Sequence, residues 1–212
     1  MSAQDQPTTP QQQGPKLYRG NAPMSEREAK YGFTRRHAAP SGLTEEQLNT
    51  LAALADNIEQ EGHISGQRTD NQIRRSKVAW LRPQDGYLWL YQALWPRIVT
   101  LNDKIFGFDI SGFGGAIQLA RYDAGDSGFY DWHMDSGKNT PHRKLSFSVQ
   151  ISDPKSYEGG DLELFSSNQI TPASRARGAL VAFPSFVMHR VTPVTRGTRL
   201  SLVAWIVGPR WR

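Results

Sequence analysis

From Phe113 onward, the sequence consists of short β-rich runs separated by Gly, Pro, Asp and Ser. The runs are GAIQLARYD, RKLSFSVQIS, DLELF, ALVAFPS and RLSLVAWIV. Runs of this length between turn-forming residues are typical of strands in a sandwich or barrel. In the second run, apolar and polar residues alternate from Leu145 to Ile151. Because successive side chains of a strand point to opposite faces, this strand is predicted to have one apolar and one polar face.

Two segments before these strands carry apolar residues at helical spacing. The first, TEEQLNTLAALADNIEQ, starts with Thr44 and Gln47 in the pattern of a capping box, and we expect it to end at Gly62. The second covers residues 86–106, where Pro96 is expected to kink the helix or divide it in two. Helices followed by many strands predict a mainly β protein, in which supporting α-helices pack on one sheet of a β-sandwich or jelly roll.

The chain of 212 residues has the length of one domain with a short appendage. Residues 1–16 are rich in Gln, Pro, Ser and Thr, and we predict that they form a disordered tail. Residues 17–212 are predicted to form a single domain. Within it, residues 17–110 are expected to provide helical support and the first strands, and residues 111–208 the jelly-roll core.

The composition restricts the possible chemistry and partners. The chain has no cysteine, which excludes disulfides and thiolate ligands, so a metal ion has to be held by His, Asp or Glu. Such ligands favour Fe(II) or Mn(II), with Zn(II) possible. The sequence has no apolar run of membrane-spanning length and no secretory signal pattern, so we expect a cytoplasmic protein without membrane partners. The net charge is +5, but the basic residues are scattered, which makes a nucleic-acid partner unlikely on composition.

One pattern within the strand-rich half is typical of a metal site. His133 and Asp135 are two residues apart on a predicted strand, so both side chains can reach one ion. His189, on a distant predicted strand, can complete a facial triad of two histidines and one carboxylate, which is diagnostic of non-haem Fe(II) oxygenases. Arg199 follows on the next strand, where it can face a carboxylate in the same cavity. The alternative is that these are ordinary half-buried histidines and a carboxylate in a turn.

Three blocks of sequence resemble a known family. The blocks RYDAGDSGFYDWHMD, RKLSFSVQISDPKSYEGGDLEL and FPSFVMHRVTPVTRGTRLSLVAWI are similar to the prolyl-4-hydroxylase branch of the Fe(II)/2-oxoglutarate dioxygenases, and most similar to bacterial PKHD-type hydroxylases. The resemblance covers residues 115–208. It implies a double-stranded β-helix that uses Fe(II), 2-oxoglutarate and O2, with ascorbate as a possible reductant. It also implies that His133, Asp135 and His189 bind iron, and that Arg199 pairs with the distal carboxylate of 2-oxoglutarate.

Further site residues follow from the resemblance and from strand parity. Tyr122 matches a tyrosine that helps to bind the cosubstrate, and Tyr130 matches the position that lines the substrate side or orients His133. Strand parity directs Gln150 and Ser201 toward a polar cavity face, where they are candidates to hydrogen-bond the cosubstrate. Aromatic side chains are expected to form the apolar walls. These are Trp132, Phe147, Phe183 and Trp205, of which the two tryptophans are also candidates for substrate contact.

The resemblance leaves several functions open. The first is hydroxylation of a protein or peptide side chain, most plausibly prolyl, coupled to the decarboxylation of 2-oxoglutarate to succinate. The second is hydroxylation of a free amino acid, siderophore or other small metabolite. The others are a non-catalytic sensor of iron or 2-oxoglutarate, and a nucleic-acid demethylase. Trp205 disfavours the last, because the demethylase relatives carry a second arginine there. We expect the loops at residues 62–75 or 136–141 to form the mouth of a peptide groove.

Overall fold

The computed structural model describes residues 36–58, 72–166 and 168–211. In these ranges the chain forms two α-helices, α1 (Glu45–Ala55) and α2 (Leu88–Leu101), and a π-helical turn (Asn102–Phe106). The strands are β1 (His37–Pro40), β2 (Arg74–Arg75), β3 (Lys77–Leu81), β4 (Gly112–Phe113), β5 (Ile117–Asp123), β6 (Phe129–His133), β7 (Arg143–Gln150), β8 (Glu158–Gly159), β9 (Leu162–Ser166), β10 (Gln169–Pro172), β11 (Ala179–Pro184), β12 (Met188–Val191), β13 (Val194–Arg196) and β14 (Thr198–Val207).

Most of these strands form two antiparallel sheets. The larger sheet has the order β1-β11-β7-β14-β5-β3, and β4 also pairs with β14. The smaller sheet has the order β10-β9-β12-β6-β2, and β8 and β13 form a separate two-stranded ribbon. Strands β1 and β3 come from the N-terminal part of the chain, so residues before position 110 complete the larger sheet. The jelly-roll prediction is confirmed, with mostly strand, two helices and antiparallel sheets.

Alternation along two central strands separates the core from the interior cavity. On β7, Phe147 and Val149 join the main hydrophobic core, whereas Ser146 and Ser148 line the cavity on the opposite face. Strand β14 follows the same rule. Its residues at even positions from Leu200 to Ile206 join the core, and those at odd positions from 199 to 205 line the cavity. The alternation predicted from the sequence is therefore confirmed.

Both helices pack on the core face of the larger sheet. Leu48, Leu51 and Ala55 of α1 and Leu94 and Ile98 of α2 are buried in the same cluster as the even-numbered residues of β14. This confirms the prediction that the helices cover one sheet. Neither α-helix in the described ranges is long and apolar enough to cross a membrane.

The ends of the helices differ from the prediction in two places. The capping box is present, and the main-chain amide of Gln47 donates to Thr44 Oγ1 at 3.2 Å. However, α1 ends at Ala55, before the expected Gly62, because Asp56 and Asn57, both poor helix formers, form a turn. Helix α2 is not divided at Pro96, since buried Leu94 and Ile98 hold it against the sheet on both sides of the proline.

The predicted disordered tail, residues 1–16, lies outside the described ranges.

The packing of α2 can be tested by truncating one leucine. Leu94→Ala removes a fully buried side chain, and we expect it to lower the free energy of unfolding by about 2–5 kcal/mol. The matched control is Leu88→Ala in the same helix, where the side chain is 52% exposed. Its effect should stay within about 0.5 kcal/mol, because it leaves no cavity. Urea denaturation followed by tryptophan fluorescence measures both, and equal effects would contradict the packing described above.

Candidate metal centre

Pairing of β6 with β12 brings the two histidines of the predicted triad together. His133 lies directly opposite His189 in this ladder, and Asp135 follows two residues after His133. The Nε2 atom of His133 lies 3.8 Å from Asp135 Oδ1, and that of His189 lies 3.4 Å from Asp135 Oδ2. One ligand atom from each of the three residues lies within 4.8 Å of the other two. The structure thus assembles the three predicted side chains around one point.

Main-chain carbonyls fix the orientation of both imidazole rings. His133 Nδ1 donates to the carbonyl oxygen of Asp131 at 2.7 Å, and His189 Nδ1 donates to that of Val187 at 2.9 Å. A carbonyl oxygen can only accept, so the proton of each neutral ring lies on Nδ1. Both Nε2 atoms point toward Asp135, and in the neutral form of each ring they carry no proton, as metal coordination requires.

Hydrogen bonds from three directions hold Asp135. Ser146 Oγ donates to Asp135 Oδ2 at 2.6 Å and lies 3.0 Å from Ser185 Oγ. The main-chain amide of Asp135 donates to the Ser185 carbonyl oxygen at 2.9 Å. Thr140 Oγ1 and Arg143 Nη1 donate to the Asp135 carbonyl oxygen at 2.7 and 3.3 Å. Asp135 is 9% exposed, and its carboxylate has little freedom to turn away from the histidines.

Burial and mutual charge set the protonation of the triad. Burial, together with the charge of His189, lowers the pKa of His133 to about 4, so this ring is neutral at pH 7. Burial alone raises the pKa of Asp135, but the charge and hydrogen bond of His189 outweigh it and lower this pKa well below its usual range. Conversely, Asp135 outweighs burial at His189 and raises the pKa of that ring. Asp135 is therefore ionised at neutral pH.

The donor set fits a divalent iron ion. Two imidazole nitrogens and one carboxylate oxygen converge from one side, and the remaining side opens into the cavity between the sheets. A facial triad leaves the opposite coordination positions open, as in non-haem Fe(II) oxygenases. Such an arrangement can bind a metal ion together with a small chelating molecule from the cavity.

Arg199 lies in the same cavity as the triad. The cavity has a volume of about 770 Å³. Arg199 is 3% exposed and pairs in register with Tyr122, and its guanidinium lies 5.5 Å from the Tyr122 ring centroid. Arg199 Nη1 donates to Ser201 Oγ at 3.1 Å. The structure thus brings Arg199, Tyr122 and Ser201 together along one wall.

The other predicted residues are placed less uniformly. Gln150 lies near Arg199 in a small adjoining pocket, where its Nε2 donates to Tyr157 Oη at 3.0 Å. Tyr130 stacks on His133 with ring centroids 3.5 Å apart, and burial raises its pKa to about 12. Trp205 lines the cavity. Phe183 also contributes to its lining, whereas Phe147 borders the cavity but is buried in the main hydrophobic core.

Trp132 does not reach the cavity. His133 points inward, so the preceding side chain on β6 is directed to the outer face of the smaller sheet. There Trp132 contacts Phe165, with ring centroids 6.5 Å apart, and the Arg190 guanidinium lies 4.7 Å from its ring centroid. The expected apolar wall and substrate contact at Trp132 is not supported by this placement.

Three residues of the site were not singled out from the sequence. Ser146 could have been found from strand parity, since it shares a face with Gln150. Arg74 is one of the scattered basic residues of the sequence, but it is 4% exposed, and its Nη2 donates to Gln118 Oε1 at 2.9 Å. No sequence pattern around Arg143 indicates a place in the site, because its position depends on contact with Trp205 of another strand.

The predicted loops at the mouth of the cavity are only partly described. Residues 137–140 line the cavity, so the loop after Asp135 borders it as expected. Most of the other proposed loop, residues 62–71, lies outside the described ranges.

Comparison with known proteins finds a family model and relatives that are similar to this chain. Residues 117–207 match the model of the 2OG-Fe(II) oxygenase superfamily. A PKHD-type hydroxylase of Maricaulis maris is 36% identical over 164 residues, which cover 72% of this chain and 70% of the relative. A PKHD-type hydroxylase of Synechococcus sp. (strain CC9311) is 40% identical over 80 residues, which cover 37% of this chain and 36% of the relative. The chain thus spans about a third of the length of that relative.

A solved structure shares the fold at lower identity. A prolyl hydroxylase of Trichoplax adhaerens, solved in complex with a peptide fragment of the hypoxia inducible factor oxygen degradation domain, has a TM-score of 0.68. Its sequence is 16% identical, and the alignment covers 87% of each chain. At this identity the likeness concerns the fold.

The support of Asp135 by Ser146 can be tested through metal affinity. Ser146→Ala removes the hydroxyl that donates to Asp135 Oδ2, and we expect Fe(II) affinity to fall about 10- to 100-fold, as for other residues that orient a metal ligand. The matched control is Ser148→Ala, two residues along the same wall, which should keep an affinity close to that of the wild type. Anaerobic titration measures both. Equal affinity of the two variants would show that the Ser146 hydrogen bond does not orient a metal ligand.

Proposed function

The chain belongs to the 2OG-Fe(II) oxygenase superfamily, and we propose that it is a 2-oxoglutarate-dependent hydroxylase acting on a protein or peptide side chain of the prolyl type. The observation that carries this proposal is the convergence of His133, Asp135 and His189 in one cavity with Arg199. The metal triad suits the keto acid end of 2-oxoglutarate, and the buried guanidinium suits the distal carboxylate at its other end.

In this proposal the triad holds iron(II) through His133 Nε2, His189 Nε2 and one oxygen of Asp135. When bound, iron(II) with 2-oxoglutarate and O2 supplies the oxidising power for hydroxylation of an unactivated C–H, and 2-oxoglutarate is decarboxylated to succinate. Ascorbate is the expected reductant for iron that has become oxidised. The chain contributes fixed ligand orientation, because the carbonyls of Asp131 and Val187 hold the two rings.

Arg199 is proposed to bind the distal carboxylate of 2-oxoglutarate. A guanidinium can donate to both oxygens of a carboxylate at once, which a lysine ammonium does not do. Ser201 Oγ accepts from Arg199 Nη1 at 3.1 Å and so limits the movement of the guanidinium. Tyr122 forms the wall beside it, and we propose both neighbours as additional contacts of the cosubstrate. Gln150, in the adjoining pocket, is proposed to act at the same end.

A peptide substrate is supported by the surroundings of the cavity. The loop after Asp135 borders the cavity and can contact a substrate that reaches beyond it. The Trichoplax prolyl hydroxylase of similar fold binds a peptide fragment, which supports the same substrate class here. Tyr130 and Trp205 are proposed to contact the residue that becomes hydroxylated, because both line the cavity near the triad.

The first experiment measures succinate formation by anaerobically purified protein. After addition of Fe(II), ascorbate, 2-oxoglutarate and O2 without substrate, we expect slow uncoupled turnover. It should be lost in His189→Ala, since this variant lacks one ligand of the triad. Turnover that persists in the metal-reconstituted variant would overturn the triad assignment. Absence of both turnover and 2-oxoglutarate binding in the metal-loaded wild type would favour a sensor module instead.

The role of Arg199 predicts a selective loss of cosubstrate affinity. Arg199→Ala should raise the 2-oxoglutarate concentration for half-maximal succinate formation at least about tenfold, since truncation of a charged partner in a buried site costs several kcal/mol. Metal affinity should change little, because Arg199 does not touch the triad residues. The matched control is Arg196→Ala, whose side chain is exposed and paired with Glu158. An unchanged 2-oxoglutarate requirement in Arg199→Ala would exclude Arg199 as the carboxylate partner.

A further inference from the structure

Basic side chains outnumber acidic ones in the lining of the cavity. In the described part of the chain, Arg74, Lys138, Arg143 and Arg199 line it, against Asp135 alone. In the proposed function, Asp135 binds the metal and Arg199 binds 2-oxoglutarate. The divalent ion and the doubly charged cosubstrate cancel each other, so the lining retains an excess of positive charge when both are bound. A cleft of one charge sign attracts ligands of the opposite sign.

Arg143 lies at the end of the cavity away from Arg199. Arg199 and Trp205 are six residues apart on the same face of β14, which corresponds to about 20 Å along the strand. The Arg143 guanidinium lies 3.7 Å from the Trp205 ring centroid. The metal triad is close to this end, because Arg143 Nη1 donates to the carbonyl oxygen of Asp135 at 3.3 Å.

In the described part of the chain, Arg143 has no carboxylate within ion-pair distance, although the charge of Asp135 acts on it from farther away. The hydrogen bond from Arg143 Nη1 goes to a main-chain carbonyl oxygen, which carries no net charge. Burial lowers the pKa of Arg143, but a guanidinium stays protonated in proteins. A half-buried guanidinium has several N–H donors and loses much of its hydration, so a charged partner from outside is favoured.

We infer that the cavity takes a substrate that carries a carboxylate, which Arg143 binds while Trp205 packs against the adjoining apolar part. The inference rests on the proposed function, since it concerns the molecule to be hydroxylated. A carboxylate on Arg143 lies beside Asp135, so carbon atoms a few bonds away reach the open side of the triad. The carboxylate can belong to a free amino acid derivative or to an acidic residue next to the target residue in a peptide.

Matched acid and amide probes test this inference in the complete chain. The protein is loaded with Mn(II) and N-oxalylglycine, which occupy the metal and cosubstrate positions without turnover. The first pair of probes is N-acetyl-L-proline and N-acetyl-L-prolinamide. The second pair is the capped dipeptides acetyl-Pro-Asp-amide and acetyl-Pro-Asn-amide. Relaxation of probe protons by Mn(II), followed by NMR, reports binding near the triad.

We expect the acid of at least one pair to bind at least tenfold more tightly than its neutral partner. Preference in the first pair identifies a free acid, and preference in the second identifies an acidic peptide. Arg143→Met should abolish the preference, and Arg143→Lys should keep part of it because the charge remains. The control Arg196→Met, at an exposed ion pair, should bind like the wild type. Mn(II) affinity verifies that each variant retains the folded site.

Three results would overturn the carboxylate site: equal binding of acid and amide in both pairs, a preference that survives Arg143→Met, or no relaxation of any probe. Succinate formation, measured on the same purified protein loaded instead with Fe(II) and 2-oxoglutarate, tests the proposed function separately. Turnover without an acid preference rejects the carboxylate site alone. An acid preference that depends on Arg143, found without turnover or 2-oxoglutarate binding, supports the site and rejects the hydroxylase.

Discussion

The antiparallel register between β6 and β12 is the constraint on which the candidate site depends. It places His189 opposite His133, although they are 56 positions apart in the sequence. A slip of one residue would turn one histidine to the outer face of the sheet, because side chains alternate along a strand. The register is supported on the other side of β12, where His189 pairs with buried Leu164 of β9.

A bulge in the same pair of strands explains the position of Tyr130. His133 pairs with His189, but the next pair is Tyr130 with Val191, so β6 has one more residue than β12 between the two pairs. In a regular strand, two residues three positions apart point to opposite faces. The extra residue restores Tyr130 to the face of His133, and their rings stack at 3.5 Å.

Periodicity predicted much of the fold, because burial on one face leaves a direct trace in the sequence. The alternation in β7 identified the strand and both of its faces, and Thr44 with Gln47 identified the start of α1. The end of α1 and the continuity of α2 through Pro96 could not be predicted this way. In both cases, tertiary contacts and turn formation outweigh the local signal. Within the site, spacing indicated the triad and Arg199, which the structure brings into one cavity. The spacing of residues did not indicate Arg143 or Arg74, since their roles arise from contacts between strands that are distant in the sequence.

Four arginines of the described part of the chain differ in the charge of the groups that accept their hydrogen bonds. Near the surface, Arg121 pairs with Asp123 at 2.9 Å, and Arg175 pairs with Asp161 at 2.6 Å. In the described part of the cavity, by contrast, Arg143 donates to a carbonyl oxygen and Arg199 to a hydroxyl, both uncharged acceptors. Withdrawing a guanidinium from water without an opposite charge is costly, whereas the same cost is offset when an anion arrives. The two paired arginines therefore lie where solvent already reduces that cost, whereas Arg143 and Arg199 face the cavity with uncharged acceptors. This distribution favours anions supplied by ligands at both ends of the site.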